Sequence, residues 1–414
     1  MRADLDHAAT TPPRPEVLEV LARWLPAANA SARHLAGQDA RAAVEESRER
    51  VAAALGCTPA DVVFTSGGTE ADNLALKGVV WAVRATRRAA GDDRPVHVVT
   101  SAVEHAAVTE ALRWLVGRGE VELDVVPPRP DGRVAVADVL DRVRADTGLV
   151  SVMGANNETG AVNDVAALGA ALRERGVPLH VDAVQCVATL DVDLDAWGAD
   201  ALAVSAHKIG GPQGIGVAVL RRGLDVEPLA HGGGQDRGVR SGTFAVGLIA
   251  ACGEAVARAA AHRTALREHL RVLSDRLAAG VVDLDGVHRT GPTDPAHRLA
   301  SHVHLELDGV DGEALQLALD AAGVAASSGS ACSSGAGRGS SVMAAMGRTG
   351  TPLRLSLGWT STEAEVDHAV AVLREAVPRL RAGGPALADG LGLRPLAAGP
   401  GAPSPAAAAP GGPA

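Results

Sequence analysis

The feature that most constrains the fold of this chain is a regular alternation of short β-branched segments with longer segments rich in Ala, Leu and Arg. Buried strands are predicted at residues 62–65, 96–99, 121–126, 149–153, 179–181 and 201–205. Helices are predicted between them at residues 71–90, 106–117, 134–145 and 165–175. This alternation predicts an α/β fold with a mostly parallel sheet, covered by helices on both faces, whose ligands bind beyond the carboxyl ends of the strands.

A second, smaller set of elements follows a long predicted helix at residues 245–279, which we interpret as a connector. The later elements are a strand at 302–307, a helix at 312–321, a strand at 353–357 and a helix at 363–382. A length of 414 residues suits two domains in one compact body. From residue 383 the chain is mostly Ala, Gly, Pro and Leu without a period, which predicts a disordered tail.

Composition argues against several classes of function. The net charge of −10 repels a phosphate backbone, so nucleic-acid binding is not expected. Neither a signal peptide nor a membrane-spanning segment is recognised, so no membrane association is expected. The cysteines are widely scattered, which favours reduced thiols in a cytoplasm over a disulfide scaffold or zinc site; they are Cys57, Cys186, Cys252 and Cys332. No metal site is expected, because no metal-like grouping is found among His180, His231, His302 and His304.

Lysine is almost absent, which narrows the search for an amine. Of the 39 basic residues, 37 are Arg and the others are Lys77 and Lys208. Lys208 closes a predicted strand in Ser205-Ala206-His207-Lys208 and precedes a Gly-rich segment. A lysine is ordinarily a solvated surface group, but this chain uses Arg for nearly all of its positive charge. Because Arg stays protonated and cannot form an imine, Lys208 is a Schiff-base candidate, whereas Lys77 is expected to be a solvated helix lysine.

Two further motifs lie at predicted strand ends. Ser66-Gly67-Gly68-Thr69-Glu70 joins a strand to a helix, where backbone N–H groups attract phosphate; a tight turn without a ligand is the alternative. Asp182 ends another strand, where it would point into the ligand crevice; a helix cap or loop carboxylate is the alternative. Together with Lys208, these motifs form a site suited to pyridoxal phosphate, with Lys bonded to the aldehyde and Asp keeping the pyridine nitrogen protonated.

The chain resembles the cysteine desulfurases of the NifS/IscS type, which are class V aminotransferases. The resemblance runs from Leu5 to about Ala382 and rests on segments 5–11, 64–70, 156–160, 180–185, 231–235, 240–243 and 327–332. It implies an aspartate-aminotransferase-like fold (pyridoxal-phosphate fold type I). A large domain of residues 14–258 would hold a mostly parallel sheet of the seven-stranded type. A smaller α+β domain would comprise residues 1–13 and 259–382, with the catalytic cysteine loop at about 327–341 and the tail at 383–414.

The resemblance also implies the roles of individual residues. Lys208 would hold the cofactor and later move protons, Asp182 would pair with the pyridine nitrogen, and His105 would stack on the ring and shuttle a proton. Arg354 would bind the substrate carboxylate through its guanidinium fork. The remaining contacts would be Gln185 and Asn157 near the phenolic oxygen, Asn157 also near the substrate, and Gly68, Thr69, Ser205 and His207 at the phosphate.

One implied phosphate contact comes from a second subunit. Thr243 matches a residue that reaches the cofactor of the partner, which implies a homodimer with shared active sites. Trp359 stands where a polar or basic residue is frequent in the family. This tryptophan either reshapes the substrate pocket or packs the small domain.

Cys332 is implied as the nucleophile. It lies in segment 327–339, which is composed almost entirely of Ser, Gly and Ala. A Cys is often a small buried hydrophobe, but such a segment fits an accessible thiolate that can move. For Cys57, Cys186 and Cys252 we favour the buried role.

The implied reaction is the pyridoxal-phosphate-dependent conversion of L-cysteine to L-alanine. Sulfur would pass to Cys332 as a persulfide and then to an acceptor protein of iron–sulfur cluster assembly or thiolation. A selenocysteine lyase, an aminotransferase and a catalytically silent sulfur-assembly scaffold are the alternatives.

Overall fold

A computed structural model describes residues 2–328 and 340–383. Its largest sheet has seven strands in the order β2-β8-β7-β6-β5-β3-β4. The strands are β2 (Val62–Thr65), β3 (Val96–Ser101), β4 (Val121–Val126), β5 (Thr147–Ser151), β6 (Leu179–Asp182), β7 (Ala201–Ser205) and β8 (Gly216–Leu220). Only the pairs that include β8 are antiparallel within this sheet, so the expected mostly parallel sheet is confirmed.

Helices cover both faces of this sheet. They are α1 (Pro15–Trp24), α2 (Leu35–Ala54), α3 (Gly68–Ala89), α4 (Ala106–Gly117), α5 (Val136–Leu140), α6 (Val165–Glu174) and α7 (Val246–Ala279). Alternate residues of β7 point to opposite faces, with Leu202 and Val204 in the core shared with α2 and α7, and Ala201 and Ala203 against α3. The small side chains on the second face allow α3 to lie close to the sheet.

The prediction of a helix over residues 134–145 is wrong in its length. α5 covers only Val136–Leu140. The backbone N–H of Arg144 donates to the Thr147 hydroxyl at 2.8 Å, and Thr147 is the first residue of β5. The chain is therefore already turning into the sheet where the sequence pattern still favours a helix.

A second hydrophobic core is built around a three-stranded antiparallel sheet, ordered β12-β10-β9. Its elements are β9 (Val287–Thr290), β10 (His302–Leu307), α8 (Gly312–Ala321), β12 (Thr351–Ser356) and α10 (Glu363–Gly383), whereas α9 (Ser341–Ala345) places Val342 in the first core. The chain start joins this core, because β1 (Ala3–Asp4) pairs in parallel with β11 (Val324–Ala325). α7 contributes Val256 to the first core and Leu273 to the second, so it connects them as expected. Among the described helices, none is long and apolar enough to cross a membrane.

A pair of helical glycines offers a test of the packing. A Cβ at Gly169 of α6 would lie 2.0 Å from the carbonyl oxygen of Trp197, whereas a Cβ at Gly117 of α4 would meet no atom within 4 Å. We expect Gly169→Ala to lower the free energy of unfolding by about 1–3 kcal/mol through overpacking. Gly117→Ala should raise it by up to about 1 kcal/mol through helix propensity. Chemical denaturation of both variants measures the difference, and equal effects would contradict the close approach at Gly169.

Candidate active site

A cavity of about 250 Å³ opens where β6 and β7 end and α3 begins. The structure brings most of the predicted site residues to its wall: Gly68, Thr69, His105, Asn157, Asp182, Gln185, Ser205, His207, Lys208 and Arg354. Parallel strands present their carboxyl ends at one sheet edge, so residues far apart in the chain meet there. The wall also includes residues that sequence reasoning did not select, namely Ala8, Ala9, Asp72, Met153 and Val184.

One end of the cavity is the turn between β2 and α3. α3 begins at Gly68, and a Cβ there would lie 2.8 Å from a methyl group of Val184. Glycine is therefore required for the close approach of the helix start to the β6 end. The free N–H groups and dipole of the first turn favour an anion such as a phosphate. We call residues 66–70 the phosphate cup.

His207 lies at the same end of the cavity and is held neutral. Its Nδ1 lies 3.1 Å from the hydroxyl of Thr10. Burial, together with the charge of Lys208, lowers the pKa of His207 to about 4. At neutral pH this imidazole therefore offers a hydrogen bond rather than a positive charge.

The end of β6 contributes Asp182 to the cavity wall. Its side chain is buried, and Oδ1 accepts a hydrogen bond from the Val184 N–H at 2.9 Å. Burial raises the pKa of Asp182, and the charges of His105 and Lys208 act in the opposite direction. A buried carboxylate in this position is suited to a protonated ring nitrogen, which would supply a cation inside the cavity.

Asp72 is a second acid in the cavity wall that sequence reasoning missed. It lies one turn along α3 from Gly68, is 1% exposed, and has its Oδ1 3.3 Å from Nε2 of His180. Burial and the neighbouring Asp182 raise the pKa of Asp72 well above its ordinary value. The sequence does contain a signal that could have identified Asp72, because it is an acid on the face of α3 that otherwise buries Ala71 and Ala75.

Asp72, His105 and Asp182 each place one ligand atom within 4.8 Å of the others. Such a group could ligate a divalent ion. The rest of the wall carries the cations Lys208 and Arg354 and a helix N-terminus, which suit an anionic organic cofactor. We therefore assign the carboxylate pair to the ring-nitrogen end of such a cofactor.

Lys208 follows β7 in a short 3₁₀ turn, Ala206–Lys208. Its Nζ donates to the carbonyl oxygens of Ala8 and Ala9 at 2.6 and 2.7 Å. The Gln185 side chain donates to the same Ala8 carbonyl at 3.1 Å. Residues 6–12, which we call the N-terminal strap, therefore lie directly against the predicted cofactor lysine.

Arg354 in β12 is 2% exposed and contacts the same strap. Its Nη2 donates to Asp6 at 2.7 Å and its Nη1 to the Asn157 carbonyl at 3.0 Å. Asp6 thus occupies part of the fork that the sequence assigned to a substrate carboxylate. Asn157 is positioned by its neighbour Asn156, whose side-chain oxygen accepts from the N–H groups of Glu158 and Thr159.

The remaining predictions concern Lys77, Trp359 and three of the cysteines. Lys77 is half-buried rather than solvated, because its ammonium lies 4.5 Å from the ring centre of Trp114, a cation–π contact. Trp359 does not line the cavity; it donates to the Pro12 carbonyl at 3.0 Å and stacks with Arg14, so it packs the strap. Cys186 and Cys252 are buried, and Cys57 is half-buried.

Of the predicted site residues that the structure describes, Thr243 is not brought to the cavity. Thr243 is exposed and absent from the cavity wall, so its contact with a partner's phosphate stays a prediction. Cys332 lies outside the described residues, as does most of the predicted cysteine loop.

Three buried histidines outside the cavity are neutral structural groups. Burial lowers the pKa of His180, His302 and His304 to about 3 in each case. Each ring has a hydroxyl neighbour at its Nδ1, supplied respectively by Ser151, Ser301 and Thr290.

The family model described as aminotransferase class-V matches residues 4–369. This chain belongs to the class V aminotransferase family. It is 44% identical over 394 residues to the IscS-like cysteine desulfurase of Mycobacterium tuberculosis (strain ATCC 25618 / H37Rv), with 92% of this chain and 97% of that protein covered.

Solved structures agree with the family. A NifS-like protein is 31% identical with a TM-score of 0.83, covering 92% of this chain and all of that one. SspA, solved in complex with cysteine, is 29% identical with a TM-score of 0.74, covering 86% of this chain and 98% of that one. The resemblance seen in the motifs and the fold type I architecture are confirmed.

The predicted cofactor is confirmed as well, because this family uses pyridoxal phosphate. The wall residues fit it, because they include a buried carboxylate, a glycine-dependent helix start and a lysine. Asp182 would hold the ring nitrogen, the phosphate cup would hold the phosphate, and Lys208 would bond to the aldehyde.

Glu104 gives a test of the electrostatics beneath this site. It is fully buried beside His105, accepts from the Met153 N–H at 2.9 Å, and burial raises its pKa to about 8. The folded state therefore keeps a proton that the unfolded state loses above pH 4.5, so this contribution to stability is lost as the pH rises from 4.5 to 8. Glu104→Gln, which cannot titrate, should be more stable than the wild type at pH 8, by about 2–4 kcal/mol.

The measurement is urea unfolding at pH 5 and pH 8. The advantage of Glu104→Gln should shrink toward pH 5, while exposed Glu174→Gln should track the wild type at both values. An advantage of Glu104→Gln that stays constant between the two pH values would contradict the raised pKa.

Proposed function

We propose that this protein is a cysteine desulfurase that converts L-cysteine to L-alanine and passes the sulfur to Cys332. The observation that carries the proposal is one cavity that holds Lys208, Asp182 and Arg354, in a class V chain 44% identical to an IscS-like cysteine desulfurase. Lysine and aspartate are the groups that pyridoxal phosphate needs, and arginine is the group that an amino-acid carboxylate needs.

Pyridoxal phosphate, when bound, supplies an electron sink that makes the Cα proton of an attached amino acid acidic. Asp182 keeps a proton on the ring nitrogen, since a buried carboxylate is stabilised by a cation at that atom. Burial raises the pKa of Asp72 well above its ordinary value and raises the pKa of Glu104 to about 8. Burial raises the pKa of Asp182 too, but there the charges of His105 and Lys208 act in the opposite direction and favour the carboxylate.

Lys208 acts as the base and then as the acid at the substrate Cα. Once displaced from the cofactor, its amine has the Ala8 and Ala9 carbonyls within hydrogen-bond reach, at 2.6 and 2.7 Å. These acceptors stabilise the ammonium form after it has taken the proton. His105 lines the same wall and is proposed to stack on the ring and relay a proton.

Arg354 orients the substrate by binding its carboxylate. Asp6 neutralises this buried guanidinium in the absence of substrate, since removal of the partner would leave an unpaired charge in the protein. A substrate carboxylate would share or take over this role of Asp6.

The sulfur step needs no external oxidant. The Cys332 thiolate attacks the substrate Sγ, the new S–S bond forms, and the Cβ–Sγ bond breaks. The electron pair of the broken bond stays with the carbon skeleton, which takes up a proton and leaves as alanine. A thiolate is required because the anion is the nucleophile.

The assembly and setting of the enzyme are part of the same proposal. We propose a cytoplasmic homodimer with Thr243 in the partner's phosphate site, and an acceptor protein of iron–sulfur assembly or thiolation. The unpaired cysteines of the described residues support a reducing compartment. We propose a large domain of residues 14–258 and a small domain built from residues 1–13 and 259–382, which follow the two hydrophobic cores except at a few positions, such as Leu299 and Val342, that pack into the first core.

The scarcity of lysine makes the cofactor assignment testable. Lys208→Arg should lose the yellow colour of the bound cofactor, because Arg cannot form an imine. Lys77→Arg, the matched control, should keep the colour and the cation–π contact with Trp114. Borohydride reduction followed by peptide mapping should find the cofactor on the Lys208 peptide alone. Cofactor found on the Lys77 peptide would contradict the proposal. So would a colourless wild-type protein, which is the result expected of a catalytically silent scaffold.

The cysteine assignment is tested by sulfur transfer. With L-cysteine and a thiol reductant, the wild type should release alanine and sulfide in equal amounts without a keto acid. Cys332→Ser should bind cofactor and cysteine but fall at least 100-fold in both products, whereas Cys57→Ser should stay within twofold. Wild-type rates in Cys332→Ser would contradict the assignment of Cys332 as the nucleophile. Activity on L-selenocysteine but not on L-cysteine would favour the selenocysteine lyase.

A further inference from the structure

The loop between β8 and α7 is exposed yet held at defined points. Residues 231–243, which we call the 231–243 loop, include the exposed residues Gly232, Gly233, Gly234 and Thr243. Two non-glycine residues in this loop adopt the left-handed region, Asp236 with φ 43° and Arg237 with φ 61°. Such conformations cost free energy and persist where surrounding contacts fix them.

The first anchor is a buried ion pair with β2 and α2. The Asp236 carboxylate accepts from Nη2 of Arg48 at 2.7 Å and from the Phe64 N–H at 3.1 Å. Arg48 also donates to the Val62 carbonyl and lies over the ring of Phe64. The loop is therefore bound to the strand that leads into the phosphate cup.

The second anchor is on the phosphate cup itself. Arg240 donates through Nε to Oε1 of Glu70 at 2.9 Å, and the Glu70 Oε2 accepts from the Ser66 N–H at 2.6 Å. Glu70 lies in the first turn of α3, two residues from Gly68. One carboxylate thus joins the loop to the backbone that forms the cup.

Hydrogen bonds within the loop also hold its C-terminal end, next to Thr243. The Gly242 N–H donates to the side-chain oxygen of Gln235 at 3.0 Å, and the Gly234 N–H donates to the Ser241 hydroxyl at 3.3 Å. Thr243 follows directly and is exposed, away from the cavity of its own chain. The loop presents this residue outward from a base attached to the cup.

We propose that Glu70, Arg240 and Asp236 are positioning residues that fix the 231–243 loop to the phosphate cup of one subunit, so that Thr243 is presented to the cofactor phosphate of the partner. The inference rests on the proposed homodimer with shared sites. Because the Glu70 carboxylate orders both the cup and the loop, loss of the pair weakens the grip on phosphate in both active sites and leaves the ring end of the cavity intact.

The test compares pyridoxal phosphate with pyridoxal, which lacks the phosphate. Full-length protein freed of cofactor is titrated with each compound, and binding is followed by the visible absorbance. Arg240→Gln should bind pyridoxal phosphate at least tenfold more weakly, with pyridoxal affinity changed less than twofold. Thr243→Ala should show the same pattern, and Arg240→Lys, which keeps the ion pair, should stay within threefold of the wild type for both.

Arg50→Gln is the matched control, because Arg50 pairs with Glu254 at 2.7 Å between α2 and α7, outside the loop and cup. It should leave the ratio of the two affinities unchanged. Asp236→Asn tests the buried anchor. If this variant does not fold, the inference is tested by Arg240→Gln alone, because the Arg240–Glu70 pair is partly exposed. Equal losses for both compounds, or no loss, would overturn the inference.

Sedimentation velocity of the wild type separates this inference from the proposal beneath it. A dimer in which Arg240→Gln leaves the affinity ratio unchanged contradicts the positioning role alone. A monomeric wild type contradicts the shared-site dimer and the positioning role together, and leaves the desulfurase assignment to the Cys332 experiment.

Discussion

The burial of three neighbouring carboxyl groups is the constraint on which the site depends, with Asp72 and Asp182 in the cavity wall and Glu104 beside His105. Buried negative charges repel one another and lose hydration, and both effects raise a carboxyl pKa. Burial raises the pKa of all three, but only at Asp182 do neighbouring charges, those of His105 and Lys208, act against it. The positions of these groups therefore favour the charged form of Asp182. A cofactor with a protonated ring nitrogen then completes the balance inside the cavity.

The N-terminal strap couples this wall to the second hydrophobic core. β1 pairs with β11 in that core, and the strap leads from it across the cavity. Along the way Asp6 pairs with Arg354, the Ala8 and Ala9 carbonyls accept from Lys208, and Trp359 holds the Pro12 carbonyl. Movement of the second core relative to the first would therefore reach the substrate arginine and the cofactor lysine together. The chain start is part of the active site even though it lies almost two hundred residues from Lys208.

Sequence reasoning recovered the parts of the fold that repeat a local pattern. The strands at 121–126, 201–205 and 302–307 and the helix at 312–321 agree with the structure to the residue. β8, which pairs antiparallel at Gly216–Leu220, was not predicted, and neither were α1 and α2. α2 is rich in charged residues and buries mostly small side chains, so its apolar stripe is faint in the sequence. The helix over 134–145 was overextended: α5 ends at Leu140, and the chain beyond it is held toward β5 by the Thr147 hydroxyl, which accepts from the Arg144 N–H.

The sequence by itself determined which residues are candidates for the chemistry, because an imine needs lysine, a ring nitrogen needs an acid, and both stood at strand ends with few competitors. Only the tertiary structure decided how those groups are held. Segments distant in the chain are joined by the pairing of Asp6 with Arg354, the carbonyls that accept from Lys208, the buried acid beside Asp182 and the anchors of the 231–243 loop. Such contacts follow from burial and from which strands are neighbours. Neither burial nor the order of strands in the sheet can be inferred from the local pattern of residues, because both arise when the whole chain packs.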